Sequence, residues 1–171
     1  MRRVSRIPPR RLPPKVGALL GELRILCYPW RGLALGIDGR MGAGKSTLAR
    51  YLAWQLGMPA IETDMWRRSG AIPSARHLGQ IEKLARSRTE RSRPLIIEGI
   101  SLLAVSDRIG LEIDYLVWVQ NAEFDQMDDD DDPELKSLRS PIRVQVERYI
   151  SEYRPHERAN YIFTSGQGLP G

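Results

Sequence analysis

The sequence predicts a three-layer α/β domain in which a parallel β-sheet is covered by helices on both faces. Two observations lead to this fold class, namely the alternation of strand-like and helix-like segments and the length and apolar content of the chain. Short apolar runs of strand length alternate along the chain with segments whose apolar residues recur at helical spacing. Strands that alternate with helices form crossover connections, which give parallel sheets that are buried on both faces. With 171 residues, 42% of them hydrophobic, the chain is long enough to build one domain of this kind.

The predicted elements follow one another in a regular order. A helix is expected over residues 16–26, because apolar side chains recur there at helical spacing. The apolar run at residues 33–37 is the first predicted strand; it ends at Asp38 and Gly39 and leads through a glycine-rich turn into a helix over residues 46–56. The remaining predicted elements are a strand over 59–63, a helix over 74–87, and strands over 94–97, 115–119 and 161–163.

The positive charge of the chain is concentrated in its first 15 residues. The formal net charge is +5, yet the first 15 residues carry six basic residues and no acid, and without those six the chain has 20 basic residues against 21 acids. Four prolines in the same stretch prevent a continuous helix. We therefore expect a basic tail over residues 1–15 and a single domain over 16–171. Its role is open between a solubilising tail, a weak anchor for nucleic acid or another polyanion, and a targeting segment.

The apolar segments and the cysteine content set further expectations. No run of 18 apolar residues is present, which excludes a membrane-spanning helix on length. A single cysteine, Cys27, cannot form an internal disulfide and fits a reducing compartment, so we expect a cytoplasmic protein. Nothing in the sequence sets an oligomeric state.

A phosphate-binding loop lies between the first predicted strand and the helix after it. Residues 39–46 match the pattern G-x-x-x-x-G-K-[ST] in the structural context that the pattern requires. Glycines let the backbone wrap around a phosphate with its N–H groups pointing inward, and the new helix adds its positive end. Lys45 can reach the β- and γ-phosphates, and the Ser46 hydroxyl can ligate Mg²⁺. The predicted ATP site consists of Gly39, Arg40, Met41, Gly42, Ala43, Gly44, Lys45, Ser46 and Thr47.

Three acidic residues, Asp38, Asp64 and Glu98, stand at the ends of predicted strands. Ligands of open α/β sheets bind at the carboxyl ends of the strands, so these acids are candidates for chemistry. We predict that Glu98 holds Mg²⁺ or its water shell together with Ser46, since a metal that bridges phosphates needs hard oxygen ligands; the alternative is a surface acid. Asp64 is placed to orient and deprotonate an acceptor hydroxyl, or to cap a helix.

Several segments resemble one known family in both content and order. They are Ile37-Asp38-Gly39, the loop through Gly42-Ala43-Gly44-Lys45-Ser46-Thr47, Thr63-Asp64, Leu95-Ile96-Ile97-Glu98-Gly99-Ile100, Asp114-Tyr115-Leu116-Val117, Tyr153-Arg154-Pro155 and Ala159-Asn160-Tyr161-Ile162. Together these segments are distributed over most of residues 33–164. On these segments the chain resembles uridine kinase and the related small P-loop nucleoside kinases.

The resemblance implies a P-loop NTPase fold whose five parallel strands lie in the order 2-3-1-4-5, ATP·Mg²⁺ as the donor, and Asp64 as the carboxylate that activates the acceptor. It also implies a lid between strands four and five that supplies arginines. Here that region, about residues 121–140, is acidic and contains five consecutive aspartates at 128–132. We expect Arg139 or Arg143 to stabilise the transferring phosphoryl group; the alternative is that both are solvated helix charges.

The acceptor side is expected to involve Trp66, which can stack on a planar substrate, and Arg67, Arg68 or Arg76, which can bind an anionic one. The leading hypothesis is an ATP-dependent kinase for a nucleoside or another small hydroxylated molecule. One alternative is a nucleotide-dependent ATPase or switch without a small acceptor, and another is a nucleic-acid-associated protein that acts through the basic tail. GTP in place of ATP also stays open, because no guanine-reading motif is apparent.

Overall fold

The centre of the structure is a five-stranded β-sheet. The computed structural model of the chain describes residues 14–29, 31–67, 72–121 and 141–165. The strands are β1 (Ala34–Gly39), β2 (Ala60–Glu62), β3 (Leu95–Gly99), β4 (Tyr115–Asn121) and β5 (Tyr161–Ser165). The helices are α1 (Pro14–Cys27), α2 (Lys45–Leu56), α3 (Ala75–Thr89), α4 (Leu102–Ile109), α5 (Pro141–Tyr153) and α6 (Pro155–Arg158), and a 3₁₀ turn (Thr63–Trp66) follows β2.

The strands lie in the order β2-β3-β1-β4-β5, and all four neighbouring pairs are parallel. This confirms both the fold class and the strand order expected from the sequence. The register places Ile37 of β1 beside Glu98 of β3, and Asp38 beside Gly99. The carboxyl ends of β1 and β3 are therefore adjacent, so the acids at those ends lie at one edge of the sheet.

Helices cover both faces of the sheet, and side chains along the central strands alternate between the two faces. In β1, Leu35 and Ile37 face the core formed with α1 and α2, whereas in β3 Leu95 and Ile97 face the core formed with α3, α4 and α5. These side chains are at most 2% exposed. Each such burial contributes roughly 1.5–3 kcal/mol, so the two cores fix the position of the strand ends that carry the polar residues.

The predicted strands and helices are all present, with boundaries that differ by a few residues. Helix α1 begins at Pro14, inside the stretch that was expected to be a tail, and proline is well tolerated in the first turn of a helix. Residues 1–13 of that tail lie outside the described residues, and so do residues 122–140 of the expected lid region. Helices α4, α5 and α6 were not predicted. None of the helices in the described part of the chain is both long and apolar enough to cross a membrane.

Candidate active site

The phosphate loop joins the end of β1 to the start of α2. Gly39 has a φ of 152°, and a Cβ there would lie 2.2 Å from the backbone oxygen of Val119 in β4, so only glycine fits. Gly44, the residue before α2, has a left-handed φ of 90°. Because this N-cap residue is a glycine, it has no side chain to cap α2, and the first N–H groups of the helix are suited to binding an anion. The side chains of Met41 and Thr47 are exposed.

Lys45 is the first residue of α2 and is only 5% exposed. Its Nζ donates a hydrogen bond of 2.8 Å to the backbone oxygen of Arg40 in the loop. Burial lowers the pKa of Lys45, while the carboxylates of Asp64, Glu98 and Asp38 act to raise it. The ammonium group is thus held inside the loop by one carbonyl and by the field of three acids.

Ser46 and Glu98 form a direct contact between α2 and β3. The Ser46 hydroxyl donates to Oε1 of Glu98 at 2.9 Å, and Glu98 is fully buried. Its second oxygen, Oε2, is buried without a hydrogen-bond partner among the described residues. Burial raises the pKa of Glu98, and the hydrogen bond from Ser46 partly offsets this effect. A buried carboxylate oxygen without a partner is costly, which indicates that it serves a ligand.

These two residues fit the hard-oxygen chemistry that Mg²⁺ requires. Mg²⁺ is typically held by one or two protein oxygens together with phosphate oxygens and water, rather than by a cage of side chains. Across the described ranges, no group of three or more His, Cys, Asp or Glu side chains is arranged to hold a metal alone. The arrangement of Ser46 and Glu98 therefore suits a metal that arrives with a nucleotide.

Asp64 lies on the 3₁₀ turn that follows β2. Its Oδ1 accepts a hydrogen bond of 3.3 Å from the Ile100 N–H, and the Nε of Arg67 is 3.2 Å from the same oxygen. The N-cap position of this turn is Glu62, not Asp64, and the Glu62 side chain makes no cap hydrogen bond. The turn is anchored to β3 by buried Thr63, whose hydroxyl donates to the backbone oxygen of Glu98 at 2.9 Å. Asp64 is therefore held next to the strand that carries Glu98.

Gly99 makes this anchoring possible. A Cβ at Gly99 would lie 2.0 Å from Oγ1 of Thr63 and 3.3 Å from Oδ1 of Asp64. Since real Cβ atoms essentially never come closer than 3.0 Å to another heavy atom, any other residue would push the turn away. The glycine after Glu98 thus brings the acid-bearing turn against β3.

Asp38 is fully buried and takes part in a network that the sequence analysis did not predict. Its Oδ1 accepts the Gly39 N–H at 2.7 Å, and its Oδ2 accepts the hydroxyl of Tyr149 from α5. Burial raises the pKa of Asp38 to about 7, although the hydrogen bonds from Tyr149 and Gly39 lower it. The Asp38 carboxylate therefore links the first N–H of the phosphate loop to Tyr149 of α5.

Ser165, at the end of β5, is a second residue that sequence reasoning missed. Its hydroxyl donates to the backbone oxygen of Ala43 in the phosphate loop at 2.6 Å. It is buried. The sequence signal was its position two residues beyond the predicted apolar strand over 161–163, since parallel topology brings strand ends together.

The other predicted site residues lie in different surroundings. Arg143 is in the first turn of α5, with Nε 3.5 Å from Oε1 of Glu147, and Arg139 lies outside the described residues. Trp66 makes an edge contact with the ring of His77, with centroids 5.7 Å apart. The remaining predicted acceptor-side residues are Arg67, which pairs with Asp64, Arg76, which is exposed on α3, and Arg68, which lies outside the described residues.

No protein-family model matches the sequence, and no curated protein matches it. Solved structures do match. A possible uridine kinase from Bacillus stearothermophilus superposes with a TM-score of 0.59 at 16% identity, covering 87% of this chain and 97% of that one. The likeness shows that this chain has the fold of that protein, so the fold and the loop motif together place the chain among proteins with the P-loop α/β fold.

Two further structures match more weakly. A shikimate kinase from Bacteroides thetaiotaomicron has a TM-score of 0.37 at 18% identity, covering 78% of this chain and 86% of that one. A sugar kinase from Janibacter sp. HTCC2649 has a TM-score of 0.41 at 18% identity, covering 71% and 94%. Since one fold hosts many activities, the activity of this chain has to be argued from its own site.

Proposed function

We propose that this chain is an ATP-dependent phosphotransferase that acts on a hydroxyl group of a small molecule, with a nucleoside as the acceptor class suggested by the sequence resemblance. The observation that carries the proposal is the position of Asp64. This carboxylate is held at the carboxyl end of β3 by the N–H of Ile100, the residue after the strand, and its charge acts on Lys45 of the phosphate loop. Phosphoryl transfer to a hydroxyl requires a proton acceptor close to a lysine that binds phosphate.

The loop and α2 would bind the phosphates of ATP through backbone N–H groups and the positive end of the helix. Lys45 would exchange its hydrogen bond with the Arg40 carbonyl for the β- and γ-phosphate oxygens. Ser46 and Glu98 would hold Mg²⁺, which would supply positive charge to offset the negative charge that develops on the phosphate oxygens. Most of the catalytic effect would come from positioning and electrostatic stabilisation.

On the acceptor side, Asp64 would orient the substrate hydroxyl and take its proton as the oxygen attacks the γ-phosphorus. The bond from the γ-phosphorus to the oxygen that it shares with the β-phosphate would break, and ADP would leave. Arg67 contacts the same carboxylate at 3.2 Å and is three residues further along the chain. An acceptor that carries a negative group would find this guanidinium beside the attacking oxygen. Trp66, half-buried against His77, offers a ring face to a planar acceptor.

The cation that stabilises the transferring phosphoryl group is assigned to Arg139 or Arg143. Arg143 is the residue of this pair that the structure describes. It lies on α5, whose buried Val146 packs in one cluster with Ile100, the residue that binds Asp64. This packing supports a position of α5 over the acceptor side of the site.

One observation favours the second candidate function, a nucleotide-dependent ATPase or switch without a small acceptor. The ion pair between Arg67 and Asp64 occupies the carboxylate that an acceptor would need. A switch would keep this pair during nucleotide hydrolysis, whereas a kinase would open it when the acceptor binds. The two candidates therefore differ in whether Asp64 is required for turnover.

The test is ADP formation by the purified full-length chain with Mg·ATP and a panel of nucleosides, nucleotides, sugars and polyols. Lys45→Ala and Asp64→Asn are measured alongside, with Lys83→Ala and Glu112→Gln as matched controls. Both control residues are exposed, Lys83 on α3 and Glu112 before the amino end of β4.

The kinase proposal expects one acceptor class to stimulate ADP formation, both site variants to lose that stimulation, and both controls to retain it. If ATP binds in a Lys45-dependent manner but no acceptor stimulates turnover and Asp64→Asn changes nothing, the kinase proposal is wrong and the switch is favoured.

A further inference from the structure

The side chain of Tyr149 connects helix α5 to Asp38 at the base of the phosphate loop. This residue is 5% exposed and lies among the apolar residues between α4 and the sheet. Burial and the nearby charge of Asp38 raise the pKa of Tyr149, so its hydroxyl keeps its proton and acts as a donor. The hydroxyl donates a hydrogen bond to Oδ2 of Asp38, the residue directly before the first glycine of the loop.

The same hydroxyl also accepts a hydrogen bond, at 3.2 Å, from the Leu103 N–H in the first turn of α4. The N-cap of α4, Ser101, makes no side-chain cap bond, so Tyr149 satisfies an N–H group that the helix itself leaves open. An unbroken chain of hydrogen bonds therefore runs from α4 through Tyr149 to Asp38 and on to the Gly39 N–H. Three elements meet at this one hydroxyl.

The charge of Asp38 is also felt inside the site. Its carboxylate acts to raise the pKa of Lys45, which favours the charged ammonium that binds phosphate. Lys45 and Asp64 in turn act on Asp38, and Arg158 of α6 acts on Tyr149. Because the network is buried, a break at the tyrosine leaves both Asp38 Oδ2 and the Leu103 N–H without a partner, and this cost is not recovered from water.

We propose that Tyr149 is a positioning residue for the phosphate loop: through Asp38 it sets the direction in which the chain leaves β1, and it thereby couples the docking of α5 to nucleotide binding. This inference rests on the proposed function only in that the loop binds ATP. Coupling of this kind is reciprocal, so bound ATP holds α5 in place to the same degree that docked α5 strengthens ATP binding.

The test compares Tyr149→Phe with Tyr153→Phe in the full-length chain. Tyr153 is a matched control, because it lies one turn along α5 with its ring 5.1 Å from that of Tyr149, while its hydroxyl bonds to Asp107 and not to Asp38. Two quantities are measured: the Kd of Mg·ATP by calorimetry, and the hydrogen exchange of α5 amides with and without ATP. Tyr149→Phe is expected to raise the Kd on the order of tenfold, the loss that one buried, charge-assisted hydrogen bond produces, and Tyr153→Phe to leave it within about twofold.

ATP is expected to slow exchange in α5 of the wild type and of Tyr153→Phe, but not of Tyr149→Phe. A tyrosine that only stabilised the fold would not abolish this ATP-dependent slowing. If Tyr149→Phe does not fold, Asp38→Asn replaces it; the amide oxygen still accepts the Gly39 N–H, but the contact with Tyr149 loses its charge, and a partial loss of the ATP-dependent slowing is expected. Equal Kd values and equal ATP-dependent slowing in wild type and variant overturn this inference and leave the proposed function standing. A wild type that binds no ATP overturns both.

Discussion

Replacement of Gly99 by alanine tests whether the docking of the Asp64 turn onto β3 is as tight as the structure shows. The new Cβ would lie 2.0 Å from Oγ1 of Thr63, so the two atoms must separate by at least 1.0 Å to reach the 3.0 Å below which real Cβ contacts essentially never occur. Thr63 cannot simply swing aside, because it is 2% exposed and its hydroxyl is bonded to the Glu98 carbonyl. Overpacking of this kind costs about 1–3 kcal/mol, and the lost hydrogen bond adds about 1 kcal/mol.

We therefore expect Gly99→Ala to lower the free energy of unfolding by roughly 2–4 kcal/mol, measured by urea denaturation followed by tryptophan fluorescence. The double variant Gly99→Ala/Thr63→Ala removes the clashing oxygen, so its loss should be smaller than the sum of the two single losses by about 1 kcal/mol or more. Gly79→Ala is the control, since Gly79 lies in α3 with nothing within 4 Å of its Cβ position. That variant should be neutral or more stable by up to about 1 kcal/mol. Additive losses in the double variant, or a Gly99→Ala protein as stable as the wild type, would refute the docking argument.

Three further predictions concern the carboxylates and the phosphate loop. The pKa of Asp38 is raised from 3.8 to about 7, so native protein holds a proton that unfolded chain releases, and this residue's contribution to stability falls as pH rises between those values. Relative to wild type, Asp38→Asn should gain stability by up to roughly 1 kcal/mol per pH unit between pH 5 and 7 in urea denaturation, and a constant difference would contradict the raised pKa. Glu98→Gln should raise the Mg²⁺ concentration for half-maximal turnover on the order of tenfold in a magnesium titration, whereas an unchanged titration would remove Glu98 from the metal site. Ser165→Ala removes the 2.6 Å hydrogen bond to Ala43 and should weaken Mg·ATP binding roughly three- to tenfold by calorimetry; unchanged affinity would mean that the loop holds its shape without β5.

The phosphate loop and its flanking elements could be predicted because the residues that bind phosphate are contiguous in the sequence. Nine neighbouring positions contain the glycines, the lysine and the hydroxyl that the loop needs, and a strand and a helix adjoin them. The strand order was obtained from the resemblance, and the pairing of β1 with both β3 and β4 bears it out.

Helix α4 escaped prediction because it is buried on nearly every side. Its first five residues, from Leu102 to Ser106, are all buried, and its eight residues span little more than two turns, too few for a helical repeat to stand out in the sequence. The apolar run reads equally well as a strand or a helix, and only the tertiary structure decides between them.

The support of the phosphate loop was missed for a different reason. Asp38 and Tyr149 are 111 residues apart, and Ser165 and Ala43 are 122 residues apart. No fixed sequence separation marks either pair, because the contacts form only when the fold brings β5 and α5 to the carboxyl end of β1. A tyrosine at helical spacing from Val146 predicts a core position, but it does not predict which buried acid its hydroxyl meets.

The packing of α1 bears on how the chain folds as it is made. This helix contacts α2 and β5, and Val16 and Leu19 share a core with Phe163. On a ribosome that adds roughly 5–20 residues per second, Val16 is completed on the order of ten seconds before Phe163. Through that interval the apolar face of α1 lacks its last partner, so the nascent chain is expected to expose part of that face until β5 emerges.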